Sequence, residues 1–281
     1  MKELRICNPQ QARMNIRNMN EDQMSFWEHL DVLRGTIWKI ALASVVCGVV
    51  AFFFKDEIFS VILAPKDNHF ITYRLFERLD SWIPGNEGIE AFSVNLVNTG
   101  LAGQFAIHMK VALYAGLIVA SPYTIYLLLR FITPALYENE RRYTYRLVGG
   151  GYVMFILGML LNYFLIFPFT FRFLGTYQVS TEVSNMITLE SYMDTLLMLS
   201  LMMGILFELP VVCWLLGKMG ILTKDFMRHY RRHAIVAILI VAAVITPTSD
   251  VFTLTLVSLP IWLLYEASIV FVPKKKKELQ N

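Results

Sequence analysis

The stretch FITPALYENERR, residues 131–142, is polar and contains a proline, and it separates two long apolar runs. The run before it covers residues 105–129, and the run after it covers residues 147–171. A hydrocarbon core about 30 Å thick requires roughly 20 apolar residues in a helix that crosses it. Both runs meet that length, so residues 131–142 are predicted to form a loop between two transmembrane helices.

The composition supports this interpretation over the whole chain. Hydrophobic residues make up 56% of the 281 residues and charged residues only 17%, which is more apolar than a soluble domain requires. The net charge of +3 is too small to indicate nucleic-acid binding. The three cysteines lack metal-ligand spacing, and neither a phosphate-binding loop nor a nucleophile motif is present. The sequence therefore predicts an integral membrane protein that is not an enzyme and has no metal or cofactor.

The apolar runs predict an all-α fold with six transmembrane helices, of which the last two are short. The first four cover residues 35–54, 105–129, 147–171 and 195–216. The fifth, residues 234–245, has a length of only about 18 Å at 1.5 Å per residue, and the sixth, residues 251–265, ends where Glu266 interrupts it. A re-entrant hairpin buried in protein is the alternative for this last pair. No cleavage signature accompanies the first run, so it is expected to remain in the protein.

The positions of the basic residues predict the orientation. Eighteen of the 25 lysines and arginines lie in the N-terminal tail, the 130–146 loop region, the segment after the fourth span and the C-terminal tail. By the positive-inside rule these regions are cytoplasmic, and both termini with them. We divide the chain into a polar tail, residues 1–25, one six-span membrane domain, residues 26–272, and a basic tail, residues 273–281. Residues 55–104 are left on the outer side, where 70–82 could form a surface helix.

Five segments in this order resemble the TatC family, the six-span subunit of the twin-arginine, Sec-independent protein translocase. They are EHLDVLR (28–34), FITPALYENERR (131–142), GILFELP (204–210), TPTSDVF (246–252) and LPIWLLYE (259–266). The resemblance implies a cytoplasmic (inner) membrane protein that binds twin-arginine signal peptides. With single-span TatA/TatB-type subunits and further copies of itself, it would move folded proteins out of the cytoplasm using the proton-motive force.

The resemblance assigns Glu140 to the arginine pair of the signal peptide, with Phe131 beside it. The chemistry agrees, because two guanidiniums are always charged and bind carboxylates through paired hydrogen bonds. Alternatively, Glu140 only solvates the loop and pairs with its neighbours Arg141 and Arg142, as many surface carboxylates do.

The N-terminal motif departs from the family, which has a glutamate at the position of Val32. In a helix Glu28 lies one turn before Val32 on the same face, whereas Asp31 is rotated from Val32 by about 100°. We predict that Glu28 supplies the second carboxylate, with Asp31 as a less favoured substitute. The alternatives are that Glu140 acts alone, or that Glu28 caps the first helix.

Two further carboxylates are candidates. Glu208 lies ten residues before Lys218 and therefore about 15 Å from the end of its span, where an ionised group is costly. It is expected to be protonated, paired or open to water, and the resemblance associates it with docking of the single-span partner. Its alternative is a neutral carboxyl bonded to a neighbouring helix. Asp250, in the predicted outer turn, is the third candidate, with capping of the next helix as its alternative.

A second class of function depends on Glu208 alone. A proton-coupled small-solute carrier would use this carboxylate as its titrating group. Such carriers are commonly built from two similar halves with matching broken helices, and the sequence contains no such repeat. The translocase subunit is therefore the favoured function, and the carrier is the alternative.

Overall fold

The structure, a computed structural model, describes residues 26–80, 95–132, 144–178, 180, 185–246 and 250–272, and a few side chains at the margins of these ranges are left out. These residues are almost entirely helical, apart from loops and one isolated bridge between Val97 and Thr188. The helices are α1 (Phe26–Phe52), α2 (Lys55–Leu63), α3 (Ile71–Asp80), α4 (Gly103–Ile132), α5 (Thr144–Leu161), α6 (Phe167–Thr176), α7 (Leu189–Leu206), α8 (Leu209–Lys218), α9 (Lys224–His229), α10 (Arg231–Ile245) and α11 (Val251–Phe271). A π-helical turn, Asn162–Ile166, joins α5 to α6, and a 3₁₀ turn, Ala64–Lys66, follows α2.

Within the described ranges, five helical stretches are long and apolar enough to cross a membrane. They are Leu30–Phe52, Gly103–Phe131, Leu147–Thr176, Leu189–Lys218 and Val251–Phe271. This confirms an all-helical, multi-pass membrane fold. Helix α10 has 15 residues, about 22 Å in length, and is shorter than the hydrocarbon thickness. The count of six spans therefore stays a prediction that depends on α10.

The expectation that the last two helices are both short is correct for α10 and wrong for α11. Helix α11 continues through Glu266 to Phe271 and has 21 residues. The carboxylate of Glu266 accepts a hydrogen bond of 2.7 Å from the Arg231 guanidinium at the start of α10. A charged side chain that is paired in this way does not interrupt the backbone hydrogen bonds of a helix, which is why the apolar run underestimates its length.

At two prolines in the long helices, a nearby hydroxyl group bonds the carbonyl that the proline leaves free. Pro122 lies inside α4 and cannot donate to the carbonyl of Ile118, which instead accepts a 2.7 Å bond from the Ser121 hydroxyl. Pro168 likewise leaves the carbonyl of Phe164 free, and Thr72 of α3 donates to it. The helices can therefore contain proline without an unpaired carbonyl facing lipid.

The segment between α1 and α4, which the sequence analysis predicts to be the outer segment, packs on the other helices through tyrosine hydroxyls. Tyr163 donates to Val61 at 2.6 Å, Tyr192 to Ile62 at 2.9 Å, and Tyr73 to the carbonyls of Pro65 and Pro168 at 3.2 and 3.1 Å. Val61 and Ile62 lie near the C-terminal end of α2, Pro65 lies in the 3₁₀ turn and Pro168 lies in α6. The bonds therefore attach α2 and α3 to the π-helical turn, α6 and α7. The predicted surface helix is present as α3, from Ile71 to Asp80.

Two glycines allow the closest helix crossings of the bundle. A β-carbon on Gly116 of α4 would collide with the backbone of Ser44 and Gly48 in α1, and one on Gly158 of α5 would lie against the backbone of Met203 in α7. Helix α1 packs mainly on α4, while α7, α10 and α11 supply most of the buried residues of an apolar core against which α5 packs. This arrangement places α4, α5 and the α7–α8 break next to one another.

Candidate functional site

Glu208 lies in a break between two helices. Helix α7 ends at Leu206 and α8 begins at Leu209, and Pro210 lies at the start of α8. The amide of Glu208 donates to the carbonyl of Ile205, three residues back, and its own carbonyl accepts from Val212 at 2.9 Å. A proline two residues after Glu208 cannot continue the i to i−4 pattern, and this explains the break.

The Glu208 carboxylate points into the contact between α4 and α5. Its two oxygens lie over Gly151 of α5, and the side chain of Ile125 of α4 approaches the same glycine. The Oε1 atom is buried and has no hydrogen-bond partner within the described part of the chain. Buried carboxylate oxygens are usually bonded, and in a membrane segment an unbonded one indicates a functional position. The geometry leaves this atom available to a polar group that is absent from the single chain.

The predicted signal-peptide residues lie at the margins of the described structure. Phe131 is half-buried in the last turn of α4, at the start of the loop. Glu140 lies outside the described residues. The backbone of Glu28 belongs to the first turn of α1, and its side chain is outside the described part. Because α1 is helical from Phe26 onward, Glu28 and the exposed Val32 share a face, as the sequence argument requires.

Asp250 lies at the start of α11. Its Oδ2 accepts a hydrogen bond of 2.6 Å from the amide of Thr253, which is the arrangement of a helix N-cap. Capping, the alternative that the sequence raises, accounts for this contact. A functional role of Asp250 in the outer turn is left as a prediction.

The ion pair between α4 and α7 was missed by the sequence analysis. Lys110 of α4 and Asp194 of α7 are joined at 2.6 Å, and both side chains remain partly exposed. The sequence analysis starts the fourth span at residue 195, just after Asp194. In the structure α7 already begins at Leu189, with Thr188 as its N-cap, so Asp194 lies inside the helix. A lysine inside an apolar run is itself a signal that an acidic partner lies on another helix.

Comparison with known proteins identifies the family. A family model described as Sec-independent protein translocase protein (TatC) matches residues 28–260. The TatC protein of Blattabacterium sp. subsp. Periplaneta americana is 34% identical over 263 residues, which cover 91% of this chain and 98% of the relative. The TatCy protein of Bacillus subtilis is 30% identical, with 94% of each chain covered.

Solved structures agree with these relatives. A crystal structure of the twin-arginine translocase receptor TatC matches 87% of this chain and 97% of its own, with a TM-score of 0.70 and 31% identity. A second, of the same receptor in DDM, has a TM-score of 0.72 and 30% identity and covers 88% of this chain. The chain belongs to the TatC family and is a multi-pass membrane subunit of a Sec-independent protein translocase.

Proposed function

We propose that this chain is the receptor for twin-arginine signal peptides and the core subunit of a translocase that carries folded proteins across the cytoplasmic membrane. The observation that carries the proposal is the similarity over 87% of the chain to a crystal structure described as the twin-arginine translocase receptor. The proton-motive force is the proposed energy source, and the sequence contains no phosphate-binding loop for nucleotide hydrolysis.

The proposed topology places six spans in the membrane and both termini in the cytoplasm. Helix α10 is counted as the fifth span, and its 15 residues are accommodated by local thinning of the bilayer. The positive-inside pattern supports this orientation, and it places the loop that follows Phe131 on the cytoplasmic side.

The signal peptide is proposed to bind at Glu140, Phe131 and Glu28. A paired-arginine motif requires carboxylates that are partly shielded from water, because charge-assisted, two-pronged hydrogen bonds are strongest there. Phe131 is half-buried at the end of α4 and supplies apolar surface beside the loop. The face of α1 that carries Glu28 also carries Val32, where the family has its glutamate.

Glu208 is the proposed docking position for a single-span partner subunit. Its buried Oε1 has no partner in the described chain, and the neighbouring Gly151 leaves it room. A polar group on the partner helix would donate to this oxygen and remove the cost of an unbonded buried acceptor. The same oxygen is the basis of the solute-carrier alternative, which family membership disfavours.

The experiment is a binding titration of a twin-arginine signal peptide, and of its twin-lysine version, to the purified protein in detergent. We expect arginine-selective binding that is lost in Glu140→Gln and weakened in Glu28→Gln. Glu138→Gln removes the same charge from the same loop and serves as the matched control, and Asp31→Asn tests the alternative carboxylate. Equal binding of the two peptides by the wild type would overturn the receptor proposal, and transport of a small solute by the protein alone in liposomes would favour the carrier.

A further inference from the structure

A basic surface lies where α9 meets α10, and contacts with α11 fix its position. Met227 of α9 is buried against Ile269 of α11 and Val272 just after it, and its carbonyl accepts a 2.8 Å hydrogen bond from the Tyr265 hydroxyl. The pair between Arg231 and Glu266 then fixes the start of α10 to α11 at 2.7 Å. These contacts attach the junction between α9 and α10 to α11.

Two exposed arginines lie at the junction between α9 and α10. Arg228, near the end of α9, and Arg232, in the first turn of α10, are both exposed and are four residues apart across the junction at Tyr230. Neither has an acidic partner among the residues that the structure describes. The start of α10 has no side-chain cap, so its free amide groups add to the attraction for an anion.

An apolar groove begins one turn below the arginines. It has a volume of about 260 Å³ between α10 and α11, and it is lined by Ile235, Ile238, Leu239, Ser258, Leu259 and Trp262. Ile235 follows Arg232 by three residues and Trp262 precedes Glu266 by four, so the Arg231–Glu266 pair closes the upper end of the groove. The exposed arginines thus lie near one end of the apolar groove between α10 and α11.

We propose that this site binds one anionic phospholipid, with its phosphate between Arg228 and Arg232 and one acyl chain in the α10–α11 groove. Guanidinium groups bind phosphate through paired hydrogen bonds. The positive charge beside an apolar groove therefore matches an anionic lipid, which has a phosphate and acyl chains. The exposed rings of Phe226 and Tyr230, whose centroids are 4.6 Å apart, flank the arginines at the level where aromatic side chains favour the membrane interface. The shortness of α10 draws its N-terminal arginines toward the phosphates.

The test measures lipid retention by native mass spectrometry of the purified full chain, titrated with phosphatidylglycerol or with phosphatidylcholine of the same acyl chains. The wild type should retain phosphatidylglycerol selectively, and added salt should reduce the selectivity. The Arg228→Gln/Arg232→Gln variant should bind it about thirtyfold more weakly, since each basic group contributes about a fivefold change near anionic lipid. Arg228→Lys/Arg232→Lys keeps the charge and should retain most of the binding, which separates loss of charge from misfolding.

Two matched controls make the proposal specific. Lys55→Gln/Arg74→Gln removes two exposed charges in α2 and α3, away from the site, and should leave retention unchanged. Ser258→Phe fills the groove and should lower retention with both arginines intact, whereas Leu263→Phe, on an exposed position that does not line the groove, should not.

Three results would overturn the proposal. The first is equal retention of the two lipids by the wild type. The second is an equal loss of phosphatidylglycerol in Arg228→Gln/Arg232→Gln and in its control Lys55→Gln/Arg74→Gln. The third is a Ser258→Phe variant that loses single-span partner subunits and keeps phosphatidylglycerol. The last result would identify a protein helix as the occupant of the groove.

Discussion

The carboxylate of Glu208 lies directly against Gly151 of α5, so that a β-carbon at Gly151 would lie 2.9 Å from Oε2 and 3.2 Å from Oε1. The neighbouring Gly149 and Gly150 face open space, where a β-carbon would contact nothing. Of these three consecutive glycines, Gly151 is therefore the one whose missing side chain makes room for the carboxylate. The position of Glu208 depends on α5 as well as on the break between α7 and α8.

Gly151→Ala should displace the carboxylate with little effect on stability. The atoms that the new methyl group meets include the end of a flexible side chain, which can move, so the free energy of unfolding should change by less than about 1 kcal/mol. Copurification of the single-span subunits should fall several-fold if Glu208 docks them. Gly150→Ala on the same helix is the control and should change neither quantity. An equal effect of the two variants on copurification would refute the role of the Glu208–Gly151 contact.

Gly116→Ala should be strongly destabilising. Here the new methyl group meets the backbone of Ser44 and Gly48, which can move only if α1 and α4 separate. Overpacking of this kind costs about 1–3 kcal/mol, so the midpoint of thermal unfolding in detergent should fall clearly. Gly149→Ala makes the same change in residue type at an open helical position and should leave the midpoint near the wild-type value. Similar unfolding midpoints for both variants would contradict a close backbone contact between α1 and α4 at Gly48 and Gly116.

The predictable parts of the fold are those set by local sequence. Apolar length predicted the position of the long membrane helices, although it ended the last of them too early. The partner of a freed carbonyl can be local as well, as with Ser121, which precedes Pro122 and bonds Ile118. Such features follow from neighbouring residues and need no knowledge of the tertiary fold.

Pairings between distant residues could not be predicted in the same way. Thr72 bonds the carbonyl of Phe164, 92 residues away, and Arg231 pairs with Glu266, 35 residues away. The pairing of Arg231 with Glu266 allows α11 to continue past Glu266, where the apolar run of the sequence stops. The candidate site shows the same limit, because sequence identified Glu208 as an intramembrane carboxylate but could not reveal that Gly151 makes its space.

Variants of Asp250 should separate capping from other functions. Asp250→Ala removes the acceptor for the Thr253 amide and should destabilise the protein by about 0.5–2 kcal/mol, the usual cost of losing an N-cap. Asp250→Asn keeps a capping oxygen and should remain close to wild type in stability. Thermal unfolding and protein transport are measured for both. Normal transport by Asp250→Asn supports a capping role, whereas normal stability with lost transport would show that the negative charge itself acts in the outer turn.

The attachment of the outer segment should weaken at alkaline pH through Tyr73. Burial raises the pKa of Tyr73 to about 12, partly opposed by the nearby positive charge of Arg172. The folded state thus holds the phenol proton more tightly than the unfolded state, whose pKa is near 10. The resulting stabilisation is complete below pH 10 and is lost as the pH rises through 12.

Tyr73→Phe should abolish this part of the pH dependence. The variant loses the hydroxyl that bonds the carbonyls of Pro65 and Pro168, so its stability at pH 8 should be lower by about 1 kcal/mol. Between pH 10 and 12 it should lose less stability than the wild type, as measured by proteolysis of α2 and α3. Tyr177→Phe, at a position that is 63% exposed, is the control and should follow the wild-type profile. A Tyr73→Phe profile parallel to wild type would show that the phenol of Tyr73 is not the group that couples the outer segment to pH.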